Sequence, residues 1–116
     1  MYKENKGYFY EKIAKKYLKD NGYLILEENF KNRFGEIDII ASKNGILSFI
    51  EVKGRKNKEF GLPREAVTLS KQRKIISAAK YYLMLKKIDD IQCQFDVIEI
   101  ILLDKTITLI ENAFWI

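Results

Sequence analysis

The chain has no histidine and a single cysteine, Cys93, among its 116 residues. Without histidine there can be no Ser-His-Asp triad, no Cys-His pair, no imidazole general base and no zinc site of the Cys/His kind. Any chemistry therefore falls to carboxylates, lysines or a hydrated metal ion. One cysteine cannot close an internal disulfide, and Met1 to Lys6 leads into no apolar signal region, so a reducing cytoplasm is the expected setting. The longest apolar stretches, such as Ile100 to Leu103, fall far short of the roughly 18 residues that a spanning helix needs. With one proline, no internal repeat, no low-complexity tract and no Pro/Gly/Ser linker, the expectation is a single domain over residues 1–116.

What is present is ample apolar material, 47% of residues, alongside 32% charged residues, a composition that folds. Lysine and arginine number 21 against 16 acids, a net charge of +5, which favours an anionic partner such as nucleic acid. The excess sits in the middle of the chain. Lys53, Arg55, Lys56, Lys58 and Arg64 are opposed only by Glu59, and Lys71, Arg73 and Lys74 follow.

Periodicity yields an order of elements. Phe9, Ile13 and Tyr17, with Tyr10, Ala14 and Leu18 beside them, recur at helical spacing, and Asn21-Gly22 offers a left-handed stop. Lys12, Lys15, Lys16 and Lys19 fall on the other face, as a solvated stripe or as a DNA contact surface. Tyr23 to Glu27 reads as a short strand, followed by a polar turn through Lys31, Asn32 and Arg33. Glu36 to Ala41 and Ile46 to Lys53 are two more, joined through Lys43-Asn44-Gly45, and Asn-Gly is the strongest signal for a type I′ hairpin. Gly54 to Leu69 reads as a long basic loop holding Gly61 and Pro63, with one helical turn at Arg64 to Val67. A second helix is predicted from Thr68 or Ser70 to about Lys86, with Gln72, Ile76, Ala79 and Leu83 on one face. Strands over Phe95 to Leu102 and Thr106 to Ile110 complete an α-β-β-β-α-β-β order, an α/β architecture on a mixed sheet.

The hairpin turns pattern into geometry. With Asn44-Gly45 as the loop, Lys43 opposes Ile46, Asp38 opposes Glu51 and Glu36 opposes Lys53, all four charges on one face with Ile40, Leu47 and Phe49. Like charges so opposed are destabilising, and charges amid apolar residues cost several kcal/mol each unless paired. One account is a salt-bridged edge in which Lys53 neutralises Glu36. The other is a divalent cation between Asp38 and Glu51, since Mg²⁺ takes hard oxygen ligands, commonly one or two carboxylates with water and substrate phosphate. Two carboxylates and an adjacent lysine make a hydrolytic set that needs no histidine.

Gly35-Glu36-Ile37-Asp38 followed by Glu51-Val52-Lys53 resembles the PD-(D/E)XK nuclease signature. The element order is similar to the restriction-endonuclease-like αβββαβ core of that superfamily, a mixed β-sheet flanked by helices. From about Gly7 to Ile100 the chain resembles the YraN-type family of endonuclease-like proteins, itself similar to Holliday-junction resolvases. The matching segments are Glu11 to Ala14, Gly22-Tyr23, Gly35 to Asp38, Phe49 to Lys53, Gly61 to Pro63 and Phe95 to Val97. The resemblance implies that Asp38 and Glu51 hold Mg²⁺ (or Mn²⁺) with the Val52 carbonyl, and that Lys53 orients or helps deprotonate the attacking water. Glu11 matches an acid that resolvases bring to the same metal, though an exposed helical glutamate reads the same way. Glu36 is a candidate for a second cation or for tethering Lys53. Arg55, Lys56, Lys58, Arg64 and Lys71 are candidate phosphate contacts on DNA, or ordinary solvated charges. Gln72 reads as a helix-surface amide and Asp96 as a structural hydrogen-bonding group.

Two positions depart from the family pattern: Tyr10, where members often carry glycine, and Gly54, where they often carry an aromatic residue or alanine. The implied activity is a metal-dependent DNA endonuclease, with branched DNA such as Holliday junctions among its candidate substrates and a homodimer suited to symmetric cutting. Phe114, Trp115 and Ile116 are apolar residues available either to the sheet or to a partner. The alternative is a nucleic-acid-binding module with a nuclease-like fold and no cleavage.

Overall fold

In the computed structural model, which describes residues 2–57 and 67–115, Asn44 and Gly45 both take left-handed conformations, φ 52° and 77°, as a type I′ turn demands. This turn joins β2 (Gly35–Lys43) to β3 (Ile46–Arg55). Their antiparallel ladder runs from Lys43–Ile46 to Ile39–Ile50, the register expected from the turn. Around them lie α1 (Tyr2–Asp20), β1 (Leu24–Asn32), α2 (Leu69–Leu85), β4 (Gln92–Ile101) and β5 (Thr106–Phe114). The five strands form one sheet in chain order. β3 and β4 pair in parallel across the α2 crossover, and the other neighbours are antiparallel. The sheet is therefore mixed, as the α-β-β-β-α-β-β order requires.

One helix covers each face. Tyr10, Ala14 and Leu18 of α1 bury against Ile39, Ala41, Ile50, Ile98 and Ile100, and α1 stops where Gly22 adopts φ 88° and Tyr23 N–H reaches back to Leu18 O at 2.9 Å. Phe9, expected on the apolar stripe, is 49% exposed. On the other face α2 begins at Thr68, whose side chain accepts from Lys71 N–H, and it buries Ile75, Ala78, Ala79 and Tyr82 on Ile40, Leu47, Phe49, Phe95 and Val97. The centre of that stripe is rotated from the predicted one. Ile76 and Leu83 flank it, because Tyr82 is drawn inward to meet Phe30 and Phe49 edge-on, at 5.2 and 6.1 Å between centroids. Phe49, Phe95 and Phe114 stack across three strands at 5.5 and 5.2 Å.

The outer strands are longer than predicted. β1 continues past Glu27 to Asn32, and β5 past Ile110 to Phe114. Both are edge strands, so their polar residues alternate to solvent, and the polarity that hid them in the sequence costs nothing there. β5 is carried on through a bulge opposite Asp96, whose Oδ1 accepts the N–H of Asn112 (φ 53°) at 2.9 Å. β3 likewise runs through Arg55, shortening the basic loop. Lys58 and Arg64, with the helical turn expected at residues 64–67 and Ile116, lie outside the described residues, except that Val67 is buried in the α2 layer. No helix among the described residues is long and apolar enough to cross a membrane.

Candidate active site

Beyond Ile39–Ile50 the β2–β3 ladder stops, although the hairpin register would carry it on through Asp38 and Glu51. The alternation of β2 breaks here, since Ile37 and Ile40 both join the α2 layer. At this fork Asp38 Oδ2 accepts a hydrogen bond from Val52 N–H at 2.8 Å, taking over where the ladder fails. Glu51 is buried, 4% exposed. Its Oε2 meets the Lys71 ammonium from the first turn of α2, with Lys53 Nζ 3.6 Å away. These side chains open onto a cavity of about 420 Å³, closed on the α1 side by Tyr10 and Glu11.

Electrostatics mark the fork. Burial and the adjoining Glu51 carboxylate push the Asp38 pKa up to about 8, against the Val52 N–H, which favours the anion. Asp38 and Glu51 are within hydrogen-bonding reach of one another, so Asp38 keeps its proton well above the usual carboxylate range. Burial opposes the Lys71 ammonium, but its bond to Glu51 and the charges of Glu51 and Asp38 outweigh this and hold its pKa above the usual lysine value. The donor set, two crowded carboxylate groups balanced by ammonium groups, fits a hard divalent cation.

Glu11 lines the same cavity, yet among the described residues no group of three acids comes together to hold a metal. It stands off from the pair, hydrogen-bonded to Asn29, and burial with the charges of Glu36, Glu28 and Glu51 raises its pKa. Glu11 therefore reaches the pair as a neighbouring charge on the α1 side of the cavity. Glu36 does not face Lys53. It is exposed and stands opposite Lys31 of β1, because β2 has already left β3. Arg55, expected on the loop, is at the end of β3 with its guanidinium on buried Glu99, and its carbonyl accepts Leu102 N–H at 3.0 Å. Lys56 is exposed just beyond. Gln72 is half-buried and donates to Val67 O at 2.9 Å. Asp96 is structural in its contacts, held by Gln94 and Asn112. It alternates with Ile98 and Ile100 of the α1 layer, and so lies on the face of the sheet opposite Glu51.

Two features escape a sequence reading. Lys71 belongs to the charge cluster itself, which only the docking of α2 against Glu51 reveals. The ring of Tyr10 occupies the space that a Cβ on Gly54 would fill. The two departures from the family pattern are therefore in contact, a large residue on α1 matched by none on β3. Their joint appearance in the sequence was the available signal.

The family model described as Uncharacterised protein family UPF0102 matches residues 10–100. The chain belongs to this family. A UPF0102 protein of Clostridium perfringens is 54% identical over 99 residues, covering 85% of this chain and 81% of that protein. One from Clostridium beijerinckii is 52% identical over 112 residues, covering 93% and 91%. One from Clostridioides difficile is 46% identical over 114 residues, covering 98% and 100%. The YraN-type resemblance read from the motifs holds, and the stretch matched by the UPF0102 model contains Glu11, Asp38, Glu51, Lys53 and Lys71.

Proposed function

We propose that the protein is a Mg²⁺- or Mn²⁺-dependent DNA endonuclease that hydrolyses phosphodiester bonds at the Asp38–Glu51 fork. The observation that carries this reading is a crowded carboxylate pair, Glu51 buried and Asp38 half-buried, at the edge of an open cavity and balanced by Lys53 and Lys71. Such crowding costs stability, and groups with displaced pKa values in a cleft are where function concentrates. Asp38 and Glu51 would hold the ion, with the Val52 carbonyl as a further oxygen. When bound, the ion supplies a water of lowered pKa and neutralises charge on the phosphorane. Lys53 keeps a positive charge beside the reacting phosphate and orients the attacking water. Lys71, released from Glu51, adds a second positive charge. Lys56, exposed just beyond the end of β3, meets backbone phosphates, which positions DNA without reading its sequence. The resemblance to Holliday-junction resolvases supports branched DNA as substrate and a second copy of the chain as partner.

One observation favours a second reading, a nucleic-acid-binding module that does not cut. Lys53 and Lys71 both pair with Glu51, a balance of charge that a module without an ion would also use. Incubation with branched and linear DNA in Mg²⁺ and Mn²⁺, with a Glu51→Ala control, separates the two. Metal-dependent cleavage that disappears in the control and in Lys53→Ala supports the enzyme. Binding without cleavage supports the module, and a chain indifferent to Mn²⁺ in melting and calorimetry, with and without DNA, removes the metal site.

A further inference from the structure

The tip between β1 and β2 is Arg33-Phe34, and three local features fix where it points. Asn32 Oδ1 accepts Phe34 N–H at 2.8 Å, closing an Asx-turn. Gly35 follows, and a Cβ there would lie 2.9 Å from the Lys74 carbonyl oxygen, so only glycine lets the hairpin lie down on α2. Phe34 thereby reaches Tyr81, centroids 5.9 Å apart and rings tilted 52°, while the Arg33 guanidinium sits 4.9 Å from the Phe34 centroid. Ser77, Lys80 and Met84 complete a groove of about 460 Å³ on the outer side of α2, and no carboxylate among the described residues lines it. Phe34 remains 39% exposed and Met84 67%.

We propose that this groove binds unpaired nucleotides, so that the preferred substrate carries a single-stranded arm next to duplex. Cations without acids select an anionic chain, and the exposed Phe34 ring beside a guanidinium, with half-buried Tyr81 next to it, suits flat bases. Rings and cations together are the platform that single-stranded nucleic acid uses, because every base can stack while phosphates meet the positive charges. An acidic peptide would satisfy Arg33 and Lys80 but leave the rings unused. Tyr81 is ten residues beyond Lys71, roughly 15 Å along α2 at 1.5 Å per residue. That is roughly four base pairs of duplex at 3.4 Å each, and exposed Arg73 and Lys74 lie on the intervening turns. The substrate preference rests on the nuclease reading, whereas binding to the groove does not.

The test measures fluorescence anisotropy of a short labelled oligothymidylate, and of a blunt duplex, in EDTA with the full chain. Phe34→Ala and Tyr81→Ala should each weaken oligothymidylate binding by roughly fivefold to a hundredfold with little change for duplex, and Phe34→Trp should restore it. Arg33→Gln with Lys80→Gln should flatten the salt dependence by about 0.7 log unit for each phosphate no longer neutralised. Unchanged oligothymidylate affinity in folded Phe34→Ala and Tyr81→Ala overturns the proposal. So does polyglutamate competing as well as oligothymidylate, with the same dependence on the rings. Melting in Mn²⁺ is read in parallel: loss of that response with ring-dependent binding intact strikes the metal reading alone.

Discussion

Asp38 takes the Val52 N–H at 2.8 Å, so one carboxylate serves the sheet's hydrogen bonding and the charge cluster at once. Replacements at this position should separate the two roles. Asp38→Ala leaves a partly buried N–H unpaired and should cost about 1–3 kcal/mol. Asp38→Asn keeps an acceptor and removes one crowded charge, so the metal-free protein should be at least as stable as wild type, while any rise in melting temperature with Mn²⁺ disappears. Equal melting of the two variants in EDTA would deny the hydrogen bond its role.

The displaced pKa of Asp38 gives a pH dependence of definite sign. Between the ordinary value of 3.8 and about 8, the folded chain keeps a proton that the unfolded chain has lost. Stability therefore falls as pH rises through that window and levels off above it. At about 1.4 kcal/mol per pKa unit, the fall is on the order of a few kcal/mol. Glu11 and Asp96, both also raised chiefly by burial, contribute with the same sign, so the comparison that isolates Asp38 is wild type against Asp38→Asn, melted in EDTA. Mn²⁺ must displace the proton, and its stabilising effect should grow as pH approaches 8. A metal response flat in pH would count against a proton held on Asp38.

Lys71→Met removes the ammonium that holds Glu51. Glu51 is buried but the Lys71 side chain is 44% exposed, so the loss of stability in EDTA should be about 1–3 kcal/mol, below that of a fully buried pair. Mn²⁺ affinity by calorimetry should rise, since the ion no longer competes with lysine for the carboxylate. Weaker Mn²⁺ binding in this variant would mean that Lys71 supports the site rather than filling it.

Gly54 and Tyr10 should behave as one unit in a double-mutant cycle. Gly54→Ala pushes a methyl into the tyrosine ring and should cost about 1–3 kcal/mol by overpacking. In a Tyr10→Ala background the same change should be close to neutral, a coupling that denaturant melts resolve. Additive losses would show that the ring moves aside freely.

Arg55 and Lys56 are adjacent and should fail differently. Arg55→Met strands Glu99, 5% exposed, and should lower stability by about 3 kcal/mol. Lys56→Ala should change stability by less than about 0.5 kcal/mol and instead flatten the salt dependence of duplex binding by about 0.9 log unit. A salt slope that follows Arg55 and not Lys56 would reverse these assignments.

The Asn44-Gly45 turn made the central register legible from sequence, because a two-residue loop leaves one pairing and the Ile and Phe residues bordering it keep that pairing on the correct face. Where β2 leaves β3 was not legible. The divergence at Asp38 depends on helices packing against both faces, which residue spacing does not encode, and so Glu36 was expected opposite Lys53 when its neighbour is Lys31. Arg55 and Lys71 illustrate the same limit for charge. Both read as loop or helix-surface cations, and only tertiary packing shows that each balances a buried glutamate. Lys15 differs from its stripe in the same way, reaching Glu28 on β1 at 2.8 Å with its side chain mostly covered.

The parallel ladder that joins Ile46 to Gln92 and Arg55 to Ile101 pairs residues a fixed 46 positions apart in the chain, 92 − 46 and 101 − 55. Contacts of such separation form slowly, and a lone two-stranded hairpin is marginal in water. At a synthesis rate of about 5–20 residues per second, Asp38 and Glu51 leave the ribosome seconds before the strand that braces them. A nascent chain ending at Ile91 should accordingly show no Mn²⁺-dependent protection from protease. The carboxylate fork is thus withheld from the growing polypeptide until β4 has been made.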